Sequence, residues 1–328
     1  MQGCLRRGWR NEGCPDVRAG LLATIKLTMI QYLYLGRVGY DEGLRVQAEM
    51  AGLVAEGRAR NVLLLLEHPT VLTLGRNAKR ENILASEEML KRRGVTVHEI
   101  NRGGDVTYHG PGQLVGYPIF DLRTLRTRTQ HISPGGRLGP VDFVRGMEEA
   151  LIRLCGEFGV KAGRICGLTG VWCGLRTEIR DQRSEISFPA AVCMPGERGS
   201  KGAERKIGAI GIHVARGITS HGFAFNVTTE LRDFELIVPC GIADHSVTSL
   251  AREVERPEEL PALEEIAQRA ARLFGEVFGE TVVKVESLEE LRAQAAKAPE
   301  QIPVEDTPLR VPDEVKRLTG EGEGTVRA

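Results

Sequence analysis

Residues 61–75, NVLLLLEHPTVLTLG, constrain the fold of this chain more than any other stretch. Val62 to Leu66 is an unbroken apolar run. Successive side chains of a strand point to opposite faces, so such a run suits a strand buried on both sides. Pro69 has no N–H to give to a ladder and breaks the stretch. Two buried strands are therefore expected, one over 61–69 and one over 70–75. The chain can supply the core they need: of its 328 residues 41% are hydrophobic and 27% charged, enough for one large domain or two ordinary ones.

Other elements follow by pattern. Residues 30–35 are β-prone. In 41–57, Leu44, Ala48 and Ala51 share a helical face behind a possible Asp41 cap. A short helix runs from the Ser86 cap to Gly94. Residues 95–100 alternate like a strand, and 113–122 form another after a glycine-rich loop. The clearest helix is 139–159, with Pro140 in its first turn, Phe143, Met147, Leu151 and Leu154 on one face, and Gly159 at its end. Residues 170–174, 206–215 and 218–227 read as strands, and 256–279 contain a long amphipathic helix. A strand at 281–285 and a helix at 287–297 close the domain. Strands come both in pairs and beside helices, which predicts an α+β fold: a mixed, largely antiparallel sheet with flanking helices. The folded domain is expected over 29–296. Residues 1–28 and 297–328 have the composition of disordered extensions, and 176–203 read as an insertion, long for a loop.

Lys plus Arg and Asp plus Glu are both 44, which argues against general nucleic-acid binding. No apolar run is long enough to span a membrane, and the first 28 residues make a poor secretory signal. Seven cysteines, odd in number and irregularly spaced, read as reduced thiols of a cytoplasmic protein. No CxxC, HxH or HExxH accompanies them, so no metal site is expected.

Three stretches carry possible chemistry. RGGDVTYHGPGQLVGY, Arg102 to Tyr117, crowds five glycines with Arg102, His109 and Gln113. It is either a ligand-cradling loop or two tight turns, and it holds neither GxxxxGK[ST] nor GxGxxG. In ERKIGAIG, Lys206 heads an apolar segment, either as a solvated strand end or as a catalytic lysine. Cys240, between Pro239 and Gly241 in LIVPCGIADHS, is either a small buried hydrophobe or a nucleophile on a tight turn.

Together these stretches resemble the lipoate–protein ligase B family, the octanoyl-[acyl carrier protein]:protein N-octanoyltransferases. RGGDVTYHGPGQLVGYP resembles the family signature, KIGAIG its lysine motif, SHGFAFNV its next strand and VPCGI its cysteine motif, in the family's order. The resemblance spans about 29–285. It implies the fold of biotin protein ligase and lipoate ligase catalytic domains. It implies that Cys240 carries the acyl group as a thioester with Lys206 as partner. It further implies that Arg102, Gly103, Gly104, Asp105, Val106, Thr107, Tyr108, His109, Ala209, Ile210, Gly211, Gly222, Phe223 and Ala224 line the substrate site. The donor would be octanoyl-acyl carrier protein. The acceptors would be lipoyl domains of 2-oxoacid dehydrogenases and the glycine-cleavage H protein. No cofactor is implied, and a cytoplasmic monomer is expected.

An unperturbed thiol, of pKa about 8.5, is only a few per cent thiolate at neutral pH, so a nearby cation such as Lys206 would help to activate it. Two basic clusters, Arg76/Lys79/Arg80 and Arg123/Arg126/Arg128, are candidate docks for an acidic carrier protein. Three rival readings stand: an ATP-dependent lipoate or biotin protein ligase on the same fold, a non-catalytic lipoyl-binding module, and a cysteine hydrolase using His109 or His245.

Overall fold

The structure is a computed structural model that describes residues 29–125, 138–175, 204–238 and 246–297. The expected extension 1–28, the insertion 176–203 and the tail beyond Lys297 lie outside the described residues, as do Cys240, His245, Arg126 and Arg128.

The elements, in chain order, are β1 (Met29–Arg37), α1 (Tyr40–Ala55), β2 (Asn61–Glu67), β3 (Val71–Leu74), α2 (Glu87–Arg92), β4 (Thr96–Glu99), β5 (Val106–His109), β6 (Gln113–Ile119), α3 (Pro140–Glu157), β7 (Ala162–Ile165), β8 (Leu168–Cys173), β9 (Arg205–Ala215), β10 (Ile218–Asn226), β11 (Ser246–Val247), α4 (Leu250–Glu253), α5 (Leu263–Phe278), β12 (Thr281–Lys284) and α6 (Leu288–Lys297). The main sheet runs β12-β1-β2-β6-β10-β9-β8-β7, with β11 beside β9. Its β1–β12, β1–β2 and β9–β11 pairs are parallel and the others antiparallel. A second sheet has the order β4-β3-β5. This is the α+β, mixed and largely antiparallel architecture expected from the pattern.

β2 shows why its sequence is so apolar. Leu63 and Leu65 point into a core built with Phe143, Met147 and Leu151 of α3 and Ile266 and Phe274 of α5. Val62, Leu64 and Leu66 point the other way, onto Val46, Met50 and Val54 of α1 and Leu291 of α6. A third cluster joins Leu72, Leu74, Val106 and Tyr108 of the small sheet to Leu90 of α2 and to Leu231–Ile237. α2 has the predicted cap, with Ser86 Oγ accepting from Met89 N–H.

Two departures are local. Residues 106–109, expected in a glycine-rich loop, form β5 and pair antiparallel with β3. Residues 162–165 form β7, for which no strand was expected. β5 is flanked by the glycines of its loop, and β7 opens on Ala162 and Gly163, residue types depleted in strands. Cys155 and Cys173 are free and buried, whereas Cys166, in the β7–β8 turn, is disulfide-bonded, unlike the seven reduced thiols expected.

Candidate active site

The two sheets meet across the loop Asn101–Asp105. Gly103 N–H donates to Ile212 O of β9, while Arg76 and Asn77 N–H groups, just past β3, donate to Arg102 O and Gly104 O. Arg102 folds back onto β3: Nη2 donates to Thr73 O at 2.8 Å and to Thr73 Oγ1 at 2.9 Å, and Nη1 to Gly103 O at 3.0 Å. The guanidinium thus fixes the loop while its stem faces the space behind it.

That space is a cavity of about 200 Å³. Its wall takes Arg102, Gly104 and Asp105 from the loop, Thr107 and His109 from β5, Lys206, Ala209, Ile210 and Gly211 from β9, and Gly222, Phe223 and Ala224 from β10. The structure therefore brings these residues of three separate sequence stretches together. Gly103, Val106 and Tyr108 do not line it. Val106 and Tyr108 face the third core cluster, and Tyr108 Oη donates to Asp233. Cys240 lies outside the described residues.

Several lining residues are not among those the resemblance implied. Tyr40 starts α1, Ile100 precedes the loop, Val115 and Tyr117 sit on β6, Gly167 lies in the β7–β8 turn, and Leu168 and Thr169 start β8. Only the topology assembles them. His221 also lines the cavity. It has a left-handed backbone, φ +57°, that non-glycine residues adopt only when held. Its N–H donates to Gln47 Oε1 of α1 at 2.6 Å, and its Nε2 bonds Asn101 Oδ1 at 2.7 Å.

The imidazoles on and behind the wall are neutral. Burial pushes His109 down to about 3, His68 to about 4 and His221 to about 4; for His109 the neighbouring His68 adds to the effect. Hydrogen bonds fix the His109 tautomer. Asn226 Nδ2 donates to Thr248 O, so Asn226 Oδ1 accepts from Gln113 Nε2, and Gln113 Oε1 accepts from His109 Nδ1. His109 Nε2 is left as an acceptor with no N–H to offer a thioester carbonyl. Behind it, His68 Nδ1 donates to Val38 O, and Tyr117 Oη donates to His68 Nε2, both at 2.7 Å.

Lys206 is buried at the other side of the cavity, its Nζ 4.8 Å from the centre of the Trp172 ring. The stretch carrying Cys240 is held at both ends. Before it, Val238 N–H donates to Asn82 O at 2.7 Å, and Asn82 Nδ2 donates to Asp105 Oδ2 at 2.6 Å. After it, Val247 pairs with Lys206 itself, and Thr248 N–H donates to Lys206 O at 2.9 Å.

Of the two basic clusters, Lys79 and Arg80 each approach a glutamate at 3.8 Å, and Arg123 is paired with Asp121 at 2.9 Å. Among the described residues, no group of His, Cys, Asp and Glu could hold a metal ion, and no helix is long and apolar enough to cross a membrane.

A mixed sheet with a small cavity at its junction with a second sheet defines a class, and residues 39–274 match the model of that class, the lipoyl protein ligase A/B catalytic domain. The fold is shared with solved lipoate protein ligases. One is the bi-partite enzyme of Thermoplasma acidophilum, with TM-score 0.53 and 16% identity over 82% of this chain and 91% of that one. Another is a lipoate–protein ligase A bound with ATP, with TM-score 0.53 and 14% identity over 82% and 94%. Curated relatives are much nearer in sequence. The octanoyltransferase of Acidobacterium capsulatum is 52% identical over 82% of this chain and 98% of its own length. That of Koribacter versatilis is 44% identical over 88% and 97%. The chain belongs to the lipoyl protein ligase A/B family, on its lipoate–protein ligase B, or octanoyltransferase, branch.

Proposed function

We propose that this enzyme is an acyltransferase of lipoate biosynthesis. It moves an octanoyl group from octanoyl-acyl carrier protein, through a thioester on Cys240, to one lysine of a lipoyl domain or H protein. The observation that carries the reading is the place of Lys206. It stands on the wall of the cavity, paired with Val247 at the point where the Cys240 stretch rejoins the sheet. The names of the near relatives support the acyl group.

In the first step the Cys240 thiolate attacks the thioester carbonyl, and the carrier's C–S bond breaks. The carrier thiolate leaves and takes a proton that the Lys206 ammonium can give. In the second step the neutral amine of the acceptor lysine attacks the Cys240 thioester. An amide forms, the Cys240 thiolate departs, and the amine's surplus proton returns through Lys206. Exchange of one thioester for another keeps the acyl group activated, so no nucleotide is consumed. Chain atoms sit among Ile100, Val115, Ile210 and Phe223, where each buried CH₂ contributes about 0.8 kcal/mol. The same reading makes the enzyme a cytoplasmic monomer.

The test is intact-protein mass spectrometry under reducing conditions, with octanoyl-acyl carrier protein and no ATP. One octanoyl adduct should map to Cys240 and disappear when a lipoyl domain is added. An adduct elsewhere, or a requirement for ATP, would overturn the reading.

A further inference from the structure

Lys206 needs to be aimed as well as present. Its stem runs along β8, over Gly170 and toward Trp172. A Cβ on Gly170 would sit 2.9 Å from Lys206 Cε, 3.6 Å from Lys206 Nζ and 2.6 Å from Gly208 O. Gly170 also has φ +123°, a conformation that side chains with a Cβ rarely adopt. The slot for the lysine is therefore made by a missing side chain on an unusual stretch of backbone.

That backbone is held from behind by α3. Glu148 is fully buried, and its Oε1 accepts the Gly170 N–H at 3.0 Å. Its Oε2 accepts from Arg145 Nη1 at 2.7 Å and from Arg164 Nε, on β7, at 3.0 Å. One carboxylate thus grips both strands of the β7–β8 hairpin. Gly167 of the hairpin turn and Leu168 and Thr169 at the start of β8 form part of the same cavity wall as Lys206. A buried carboxylate is retained only where charge and hydrogen bonds compensate its lost hydration, and here two arginines and one backbone N–H do so.

We propose that Glu148 and Gly170 are positioning residues for Lys206. Glu148 locks the hairpin, and Gly170 leaves the channel that directs the ammonium along the Trp172 face into the cavity. This rests on the reading of Lys206 as the partner of Cys240. The remaining charged groups around this strand have other commitments. Arg205 pairs with Glu253, Arg102 bonds Thr73, and Asp105 bonds Asn82 and the Lys79 and Val106 N–H groups.

The experiment compares wild type with Gly170→Ala, Glu148→Gln, Lys206→Ala and the Gly170→Ala/Lys206→Ala double variant. Under reducing conditions it follows iodoacetamide labelling of Cys240 against pH, with kcat and KM for octanoyl-acyl carrier protein. Gly170→Ala should lower kcat by about tenfold to a hundredfold with KM little changed, as a misplaced catalytic group does. It should also move the thiol pKa toward the ordinary value of about 8.5. In the Lys206→Ala background it should add little. Glu148→Gln should shift the labelling profile the same way by less; if that variant does not fold, Gly170→Ala decides alone. A wild-type profile and kcat in Gly170→Ala, or an equal loss with and without Lys206, sinks the proposal. A Lys206→Ala protein with an unshifted thiol would instead sink the reading of Lys206, which separates the two failures.

Discussion

Three buried histidines on or behind the cavity wall make the fold acid-sensitive, and the size of the effect can be worked out. His68, His109 and His221 are pushed by burial from an ordinary 6.5 to about 4, 3 and 4. Their folded values are lowered, so between those values and 6.5 the unfolded chain binds more protons than the native one. Stability is then fully present above 6.5 and falls as pH drops below it, levelling off only near the folded values. From pH 7.5 to about pH 5, each histidine takes away about 2 kcal/mol of stability. The three together give a ceiling of ~6 kcal/mol, comparable with the whole stability of an ordinary domain at about 5–15 kcal/mol. Carboxylates held low by arginines, such as Glu253 and Glu49, lose their contribution mainly below their ordinary 4.5, outside this window.

The assay is urea unfolding followed by fluorescence at steps between pH 7.5 and about pH 5, with the m-value checked for constancy. A stability loss of several kcal/mol is expected, with a slope approaching three protons taken up on unfolding. His68→Gln, His109→Gln and His221→Gln should each remove about one proton from that slope. A flat profile over this range, or a full slope surviving in all three variants, would refute the argument that burial keeps these rings neutral.

Two further outcomes follow from packing. A Cβ on Gly222 would lie 2.1 Å from Gly116 O and 2.4 Å from Pro118 Cδ, so Gly222→Ala must force β10 from β6. It should cost about 3 kcal/mol in the same urea assay, and a loss below about 1 kcal/mol would mean the strands part easily. Every described strand and helix lies within 29–297, so a chain cut to 29–299 should remain soluble and transfer octanoate at the full-length rate. Insoluble protein, or lost activity, would show that a terminal segment is needed.

The fold was legible where its signals were long. The apolar run of β2, the α3 stripe and the β9–β10 alternation each extend over enough residues for a period to emerge, and all three form as expected. The helix expected within 256–279 starts only at Leu263, because Pro257 opens a separate short turn and Pro261 precedes the helix. β5 was hidden by the glycines on either side of it, and β7 by its Ala-Gly start. The cavity shows the same division. The motif residues of β5, β9 and β10 could be named because their stretches resemble the family's motifs. Tyr40, Tyr117 and Leu168 could not, since they are ordinary residues made neighbours by sheet order. Glu148 was invisible for a related reason: a glutamate in an amphipathic helix reads as solvent-facing, and only the β7–β8 hairpin packed against α3 makes it buried.

A thioester in a cavity can be attacked by an amine or by water, and the histidines bear on which wins. A hydrolase would need a general base near the scissile carbon with a pKa close to the working pH. His109 is on the wall, but its folded value of about 3 makes it a very weak base near neutrality. Its Nδ1 hydrogen is already committed to Gln113 in the chain that runs on through Asn226 to Thr248. Such a ring can accept a hydrogen bond and leave the donor group otherwise unchanged; it does not generate hydroxide. An incoming neutral amine needs no such base to begin its attack, because its lone pair is already available and its surplus proton leaves afterwards. The buried, uncharged His109 is therefore ill suited to be a hydrolase's base, whereas a neutral amine needs none to attack. The same burial that makes the native state acid-sensitive keeps His109 from serving as a water-activating base.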